Sequence, residues 1–365
     1  MKLALLAPRA SGLARAFPSG GDLYDLQLAR ALERRGHTLD VLRTPIGFDA
    51  DRWSKRLCAG GYDALMQDEL GHADYLRLNA SLAGRIPSLA LVHVTRARLE
   101  PEAQSRTIER AFLSSVDGAL FVSRQVRRET ERLLGLRVPS QVAHPGCDHL
   151  PLSAAHRTAA KRLRFLCAGH VLPHKGQLEL IEAFANVRAP YSLAIAGDLA
   201  RERRYATAVR QAARALGSTQ LRLLGPLGPA QLARALARTD VFVSASAYES
   251  YGIAVAEAQA AGLPVVAWAD GGLWEFLTPN VDALRVRLRD TAGLTRALTA
   301  LCKDPKLVLK LQRGARESAR DLPRWDDTAQ HCERLLRRVS SSRARAGSSR
   351  RALEVQSTKA RRDAA

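Results

Sequence analysis

Apolar residues fall along this chain in short runs separated by longer stretches of helical spacing. Leu3–Ala7 has the length of one buried strand. A loop of small residues follows through Ser19-Gly20-Gly21; then Leu23, Leu26, Leu28, Ala31 and Leu32 recur at helical intervals until Gly36. The same reading predicts strands at Leu39–Leu42, Asp63–Met66, Ser88–Val92 and Ala119–Val122, with helices near 69–82, 101–115 and 124–134. Periodicity fails across Pro145–Thr158, which reads as a link between two units. It restarts with strands at Leu163–Ala168, Ser192–Ala196, Gln220–Leu224, Asp240–Val243 and Pro264–Ala267, and helices near 176–187, 201–215, 229–238 and 253–261. From Asp290 to about Arg338 the chain reads as helical, and the Ser/Arg/Ala-rich remainder has no apolar period and is expected to be disordered. Alternating strand and helix implies βαβ units, so the expected architecture is two doubly wound α/β domains with terminal helices.

Composition narrows the partners. At 365 residues the chain exceeds one compact core. The 56 basic against 36 acidic residues give a net charge of +20, which favours anionic partners or simply reflects an Arg-rich surface. Ten basic and two acidic residues lie from Arg334 onward, and Arg124, Arg127, Arg128 and Arg132 share one predicted helix. An anionic membrane surface is the sharper reading of these groups, a solvated face the plainer one. Nucleic acid is disfavoured, because aromatics make up 5% of the chain and none interleaves the basic tail. Cys58, Cys147, Cys167, Cys302 and Cys332 are scattered without a C-x-x-C pair, which fits free thiols in a cytoplasmic setting. The Leu3–Ala7 run is short of the roughly 7–15 residues of a signal-peptide core, and no stretch reaches the ~18 apolar residues of a membrane span.

The chemistry gathers at predicted strand ends. Lys175 stands where a loop beginning at Gly169-His170 enters a helix, a position that attracts anions; an ordinary surface lysine is the other reading. Glu249 lies in a loop after a strand, and Glu257 lies in the helix that Gly252 opens. Both would face one cleft, where carboxylates suit the vicinal hydroxyls of a sugar nucleotide and the N–H groups of Gly252 and Ile253 suit a diphosphate.

The run from Ser246 through Glu249, Ser250, Gly252, Ile253, Glu257 and Gly262-Leu-Pro264, followed by Gly271-Gly272 and Glu275, resembles the signature of the family 4 retaining glycosyltransferases. The Gly20-Gly21 loop, the AHPGCD of 143–148 and HVLPHKGQLELIEAFANV extend that resemblance to about residue 337. It implies a GT-B fold: an N-terminal Rossmann-like acceptor domain over 1–148, a linker over 149–161, a nucleotide-sugar donor domain over 162–320, a crossing helix over 321–338 and a basic tail over 339–365. It also implies a retaining, metal-independent transfer from a UDP- or GDP-linked sugar to a hydroxyl acceptor, such as a lipid-linked or cell-envelope glycan precursor. No cofactor or metal is expected, and the location would be cytoplasmic, with association at the inner membrane face the sharper alternative.

By position, the resemblance gives Glu257 the donor ribose and Glu249 the hydroxyls of the transferred sugar. Lys175 would neutralise the departing diphosphate, and Gly21 would let its loop approach the phosphates. Gly20, Gly169, Ser250, Gly252 and Ile253 join the donor site, and His93 stands beside the reacting centre. His170 departs from the pattern, since an arginine there would clamp the diphosphate in bidentate fashion. That lesion motivates the alternative of a catalytically impaired GT-B binding or scaffold protein. Three other groups read as decoys: Asp49-Ala50-Asp51 in a loop, His170 with His174, and the linker set His144, Cys147, Asp148 and His149, which reads as a turn.

Overall fold

The computed structural model describes residues 1–8, 19–99, 101–152, 162–268 and 270–341. The greater part of the expected linker (153–161) and of the expected tail (342–365) lies outside the described residues.

Two six-stranded parallel sheets organise the chain. The first comprises β1 (Lys2–Pro8), β2 (Thr38–Thr44), β3 (Ala64–Asp68), β4 (Ser88–Val92), β5 (Gly118–Phe121) and β6 (Ser140–Val142), in the order β2-β1-β3-β4-β5-β6. Its central strands are apolar on both faces because helices cover both, as a parallel sheet requires. The second half of the chain supplies β7 (Leu163–Ala168), β8 (Tyr191–Ala196), β9 (Leu221–Gly225), β10 (Val241–Ser244), β11 (Tyr248–Glu249), β12 (Val265–Ala267), β13 (Asp270–Gly271) and β14 (Ala283–Arg285). Six of these form the second sheet, in the order β14-β12-β10-β7-β8-β9, while β11 and β13 make a separate two-stranded ribbon. Both sheets reverse direction of growth beside their first strand, at β1/β3 and β7/β10. Such switch points open a crevice at the carboxyl ends of the strands. The two halves are therefore Rossmann-like units, as the alternating pattern of the sequence predicts.

Strand β6, strand β14 and the helix Ala50–Ala59 escape the sequence reading. The two strands are three residues long, and the helix buries only Ser54 and Leu57, so none carries a full apolar period. Asp49 thus sits at the N-cap of a helix rather than within a loop, its side chain accepting from the Arg52 N–H at 3.0 Å.

The final helix, 325–341, returns to the first unit. Trp325, Ala329, Cys332, Leu335, Leu336 and Val339 belong to the core cluster built by β1, β3, β4 and β5. Trp325 is 1% exposed and meets Tyr24 edge-on at 5.7 Å; the Trp325 N–H donates to Asp148 Oδ1 at 2.8 Å.

Candidate active site

Between the units lies a cavity of about 250 Å³, lined from both sides. On the second-unit side the chain leaves β7 through the short turn Pro173–Lys175 and enters the helix Gln177–Ala185. The loop after β10 is stitched to that turn, the Ala247 N–H donating to the His174 carbonyl at 2.8 Å. This seam delivers Lys175 Nζ to Glu249 Oε1 at 2.6 Å, a half-buried, charge-assisted pair facing the cavity.

Gly252 then opens the helix Ile253–Ala260. Its φ of +93° and the 2.2 Å that would separate an added Cβ from Leu273 allow only glycine there. No side chain caps this helix, and Ser250, Gly252 and Ile253 line the cavity, so its positive end faces the space.

The first-unit wall is built differently. Ser19 caps the helix Gly20–Arg34, accepting from the Asp22 N–H, and Gly20, Gly21 and Tyr24 reach the cavity. His93 follows β4, and Asp68 and Glu69 stand at the end of β3. Asp25, Asp68 and Glu69 are at most 3% exposed, and His93 is 9% exposed. His93 Nε2 approaches Asp25 Oδ1 at 3.0 Å and Glu69 Oε2 at 3.9 Å, yet neither Asp25 oxygen nor Glu69 Oε2 makes an aligned hydrogen bond. Burial raises the carboxyls of Asp25, Asp68 and Glu69 above their ordinary range. Burial also pushes the His93 imidazolium toward losing its proton, but Glu69 and Asp25 outweigh it and raise its pKa to about 10.

The structure thus brings together eight of the residues singled out in the sequence: Gly20, Gly21, His93, Lys175, Glu249, Ser250, Gly252 and Ile253. Three others do not line the cavity. Glu257 is 5% exposed and turned to His149, its Oε1 2.8 Å from Nε2; the Trp325 indole N–H donates to the other nitrogen of that ring at 3.2 Å. Gly169 and His170 lie in the loop after β7, where the His170 carbonyl accepts from Gln177 Nε2 at 3.0 Å. At Gly21 an added Cβ would meet the His93 ring at 3.3 Å.

The linker cluster dissolves into separate partnerships, His144 with Glu275 and His149 with Glu257. Reading the sequence missed Asp25, Asp68 and Glu69. The available signals were Asp25 on the buried face of the first helix and an Asp-Glu pair closing an apolar strand. It also missed what Glu275 does. From the turn Gly272–Glu275 its carboxylate accepts the N–H groups of Arg124 (3.0 Å) and Gln125 (2.7 Å), the first of the helix Arg124–Leu134. His144 Nε2 completes the set at 2.8 Å. Burial would raise this carboxyl, but His144 and the two N–H groups outweigh it and hold Glu275 below its ordinary value. A second bridge runs from Tyr248 Oη to Glu129 Oε2 at 2.7 Å, with Arg98 stacked 4.0 Å over the tyrosine ring.

Residues 151–318 match the family described as Glycosyl transferases group 1. The chain therefore carries a group 1 glycosyltransferase domain over those residues. The D-inositol 3-phosphate glycosyltransferase of Xylanimonas cellulosilytica is 28% identical over 85% of this glycosyltransferase and 89% of its own length. Glycogen synthase of Mycobacterium tuberculosis is 27% identical over 77% and 72%, respectively. Among solved structures, sucrose-phosphate synthase from Thermosynechococcus elongatus superposes with a TM-score of 0.77 at 20% identity, covering 94% of this chain and 100% of that one. The Anabaena protein Alr3699/HepE, solved in complex with UDP-glucose, gives 0.76 at 18% identity over 93% and 100%. At such identities the structures establish the GT-B fold of this glycosyltransferase. Among its described residues no helix is long and apolar enough to cross a membrane.

Proposed function

We propose that this glycosyltransferase moves a sugar, with retention of anomeric configuration, from a UDP- or GDP-linked donor to a hydroxyl acceptor, with no metal acting on the donor diphosphate. The observation that carries the reading is the Lys175–Glu249 pair at 2.6 Å beside the uncapped start of the helix at Gly252. A bound donor exchanges that pair for two better-matched contacts. Lys175 turns to the diphosphate, where the N–H groups at Gly252 and Ile253 add partial positive charge. Glu249 is released to accept hydrogen bonds from the hydroxyls of the transferred sugar.

The bond from the anomeric carbon to the diphosphate oxygen then breaks, and its electron pair stays on the leaving phosphate. The acceptor oxygen attacks from the face being vacated and passes its proton to that phosphate oxygen. The protein's share is electrostatic, because charge develops where Lys175 and the helix end already point. The Anabaena protein Alr3699/HepE, solved in complex with UDP and with UDP-glucose, supports the donor class, as does a mannosyltransferase of Corynebacterium glutamicum described as GDP-mannose-dependent. That relative also acts on a phosphatidylinositol mannoside, which favours a lipid-linked acceptor and thereby a basic surface resting on anionic lipid. Donor-side roles for Glu257, Gly169 and His170 require movement of their loops or helix on binding, since none lines the cavity.

The test is transfer and donor hydrolysis with a panel of UDP- and GDP-sugars, alongside thermal-shift titration of each. Stabilisation by one nucleotide class together with turnover that collapses in Lys175→Ala is expected. A protein that no nucleotide sugar stabilises would return the reading to a scaffold.

A further inference from the structure

Glu249 lies in the short strand β11, and the residue before it points the other way. Side chains alternate along a strand, so Glu249 faces the cavity and Lys175 while Tyr248 leaves toward the first unit. There it enters a polar clasp. Tyr248 Oη donates to Glu129 Oε2 at 2.7 Å, and Glu129 is 4% exposed. The other carboxylate oxygen, Oε1, accepts from Arg98 Nη1 at 3.1 Å and from Gln125 Nε2 at 3.0 Å, both within the first unit. Arg98 covers the tyrosine ring and reaches Asp270 Oδ2 at 3.7 Å; Asp270 stands opposite Tyr248 in the β11/β13 ribbon. Behind the ribbon there is no slack. An added Cβ at Gly271 would lie 2.2 Å from the Glu249 carbonyl oxygen, and one at Gly272 would lie 2.1 Å from that of Ser250. The backbone of Glu249 is thus gripped by its own unit on one side and, through Tyr248, by the other unit.

We propose that Tyr248 and Glu129 are positioning residues for Glu249: the first unit sets, across the cleft, the aim of the carboxylate that grips the transferred sugar. The inference rests on that role of Glu249. Holding the units together is a weaker account of the clasp. Glu275 already does so through the N–H groups of Arg124 and Gln125, and Glu129 has its two first-unit donors without the tyrosine. What the Tyr248 bond adds is its place, one peptide link from Glu249. A short, charge-assisted hydrogen bond on a buried acceptor fixes the ring, and the ring fixes the turn of the strand on which Glu249 sits. Glu249 is then fully aimed only with the two units in contact, which ties the grip on the sugar to an assembled cleft.

The experiment compares full-length wild type, Tyr248→Phe, Glu249→Ala and the double variant with UDP-glucose and GDP-mannose. It reads donor hydrolysis, and thermal shift by each sugar nucleotide against UDP or GDP alone. Tyr248→Phe removes one oxygen and keeps the ring beneath Arg98. It should lower kcat roughly 10-fold, the cost of a slightly misplaced group, and leave the shift given by the bare nucleotide unchanged. The extra stabilisation that the sugar supplies should shrink in Tyr248→Phe as it does in Glu249→Ala. Added to Glu249→Ala, Tyr248→Phe should lower kcat no further. Glu129→Gln keeps a hydrogen-bonding partner for the tyrosine and should stay within about 3-fold of wild type, while Glu129→Ala should match Tyr248→Phe. An equal further loss when Tyr248→Phe is added to Glu249→Ala means a merely structural bond and overturns the proposal. Wild-type turnover in Tyr248→Phe beside an impaired Glu249→Ala overturns it alone; wild-type turnover in Glu249→Ala overturns the functional reading together with it.

Discussion

The two walls of the cleft solve opposite electrostatic problems. On the second-unit wall one cation and one anion, Lys175 and Glu249, neutralise each other at 2.6 Å beside a helix N-terminus. On the first-unit wall three buried carboxylates crowd a single imidazole, and several of their oxygens have no hydrogen bond. The second-unit wall matches its charges in one pair, while the first-unit wall holds more acid than its one imidazole balances. The difference places matched charge on one half of the chain and unmatched acid on the other.

Breaking the balanced wall should have the largest effect. Lys175→Ala and Glu249→Ala should each lower kcat roughly 10²–10³-fold, the scale of losing one preorganised electrostatic group. The double variant should cost less than the product of the two, because each single change strands the other charge. Steady-state kinetics of the four proteins decides this, and strict additivity would mean that the pair does not act as a unit.

Gly252→Ala attacks the same wall through its backbone. The positive φ and the Leu273 contact predict a loss of roughly 1–3 kcal/mol in stability, read from denaturant midpoints, together with weaker nucleotide stabilisation.

Glu275→Gln tests whether the walls are held in register. Losing a carboxylate that accepts two backbone N–H groups and an imidazole should cost about 1–2 kcal/mol at neutral pH. Because the folded carboxyl lies below its ordinary value of 4.5, the wild-type advantage is present above that pH and lost as pH falls through the lower folded value. Urea denaturation from pH 7 to 3 should therefore show the two proteins converge only in acid.

Asp68→Asn should produce the smallest change and the opposite sign. Removing one charge from the overloaded wall should raise stability by about 0.5–1.5 kcal/mol, while an asparagine still accepts from the Leu70 N–H. Lower stability in that variant would mean that the wall is not overcharged.

Much of this fold was legible because it rests on local pattern. Apolar runs such as Leu3–Ala7 and Leu163–Ala168 lie inside observed strands, and the helix opened by Gly252 begins where the glycine places it. Lys175 and Glu249 were readable as loop residues after strands of one crevice, since the switch points of a parallel sheet bring such ends together, whereas His93 entered only through the family resemblance. The rest depended on pairings between residues far apart in sequence. Glu257 turns to His149, 108 positions away, and Glu275 caps a helix 150 positions upstream; no periodicity carries that information. Asp25 was hidden for another reason: a buried acid on an amphipathic helix breaks the pattern by a single residue.

The helix at 325–341 has a consequence for how the molecule is made. The half that leaves the ribosome first buries Trp325 and Leu335 from the end of the chain in its own core. It cannot finish folding while it is the only part synthesised. The early-born half must wait with an open flank for the whole of the other half to be translated. A released chain that ends just before Trp325 should therefore remain protease-sensitive in its first half while its second half is resistant.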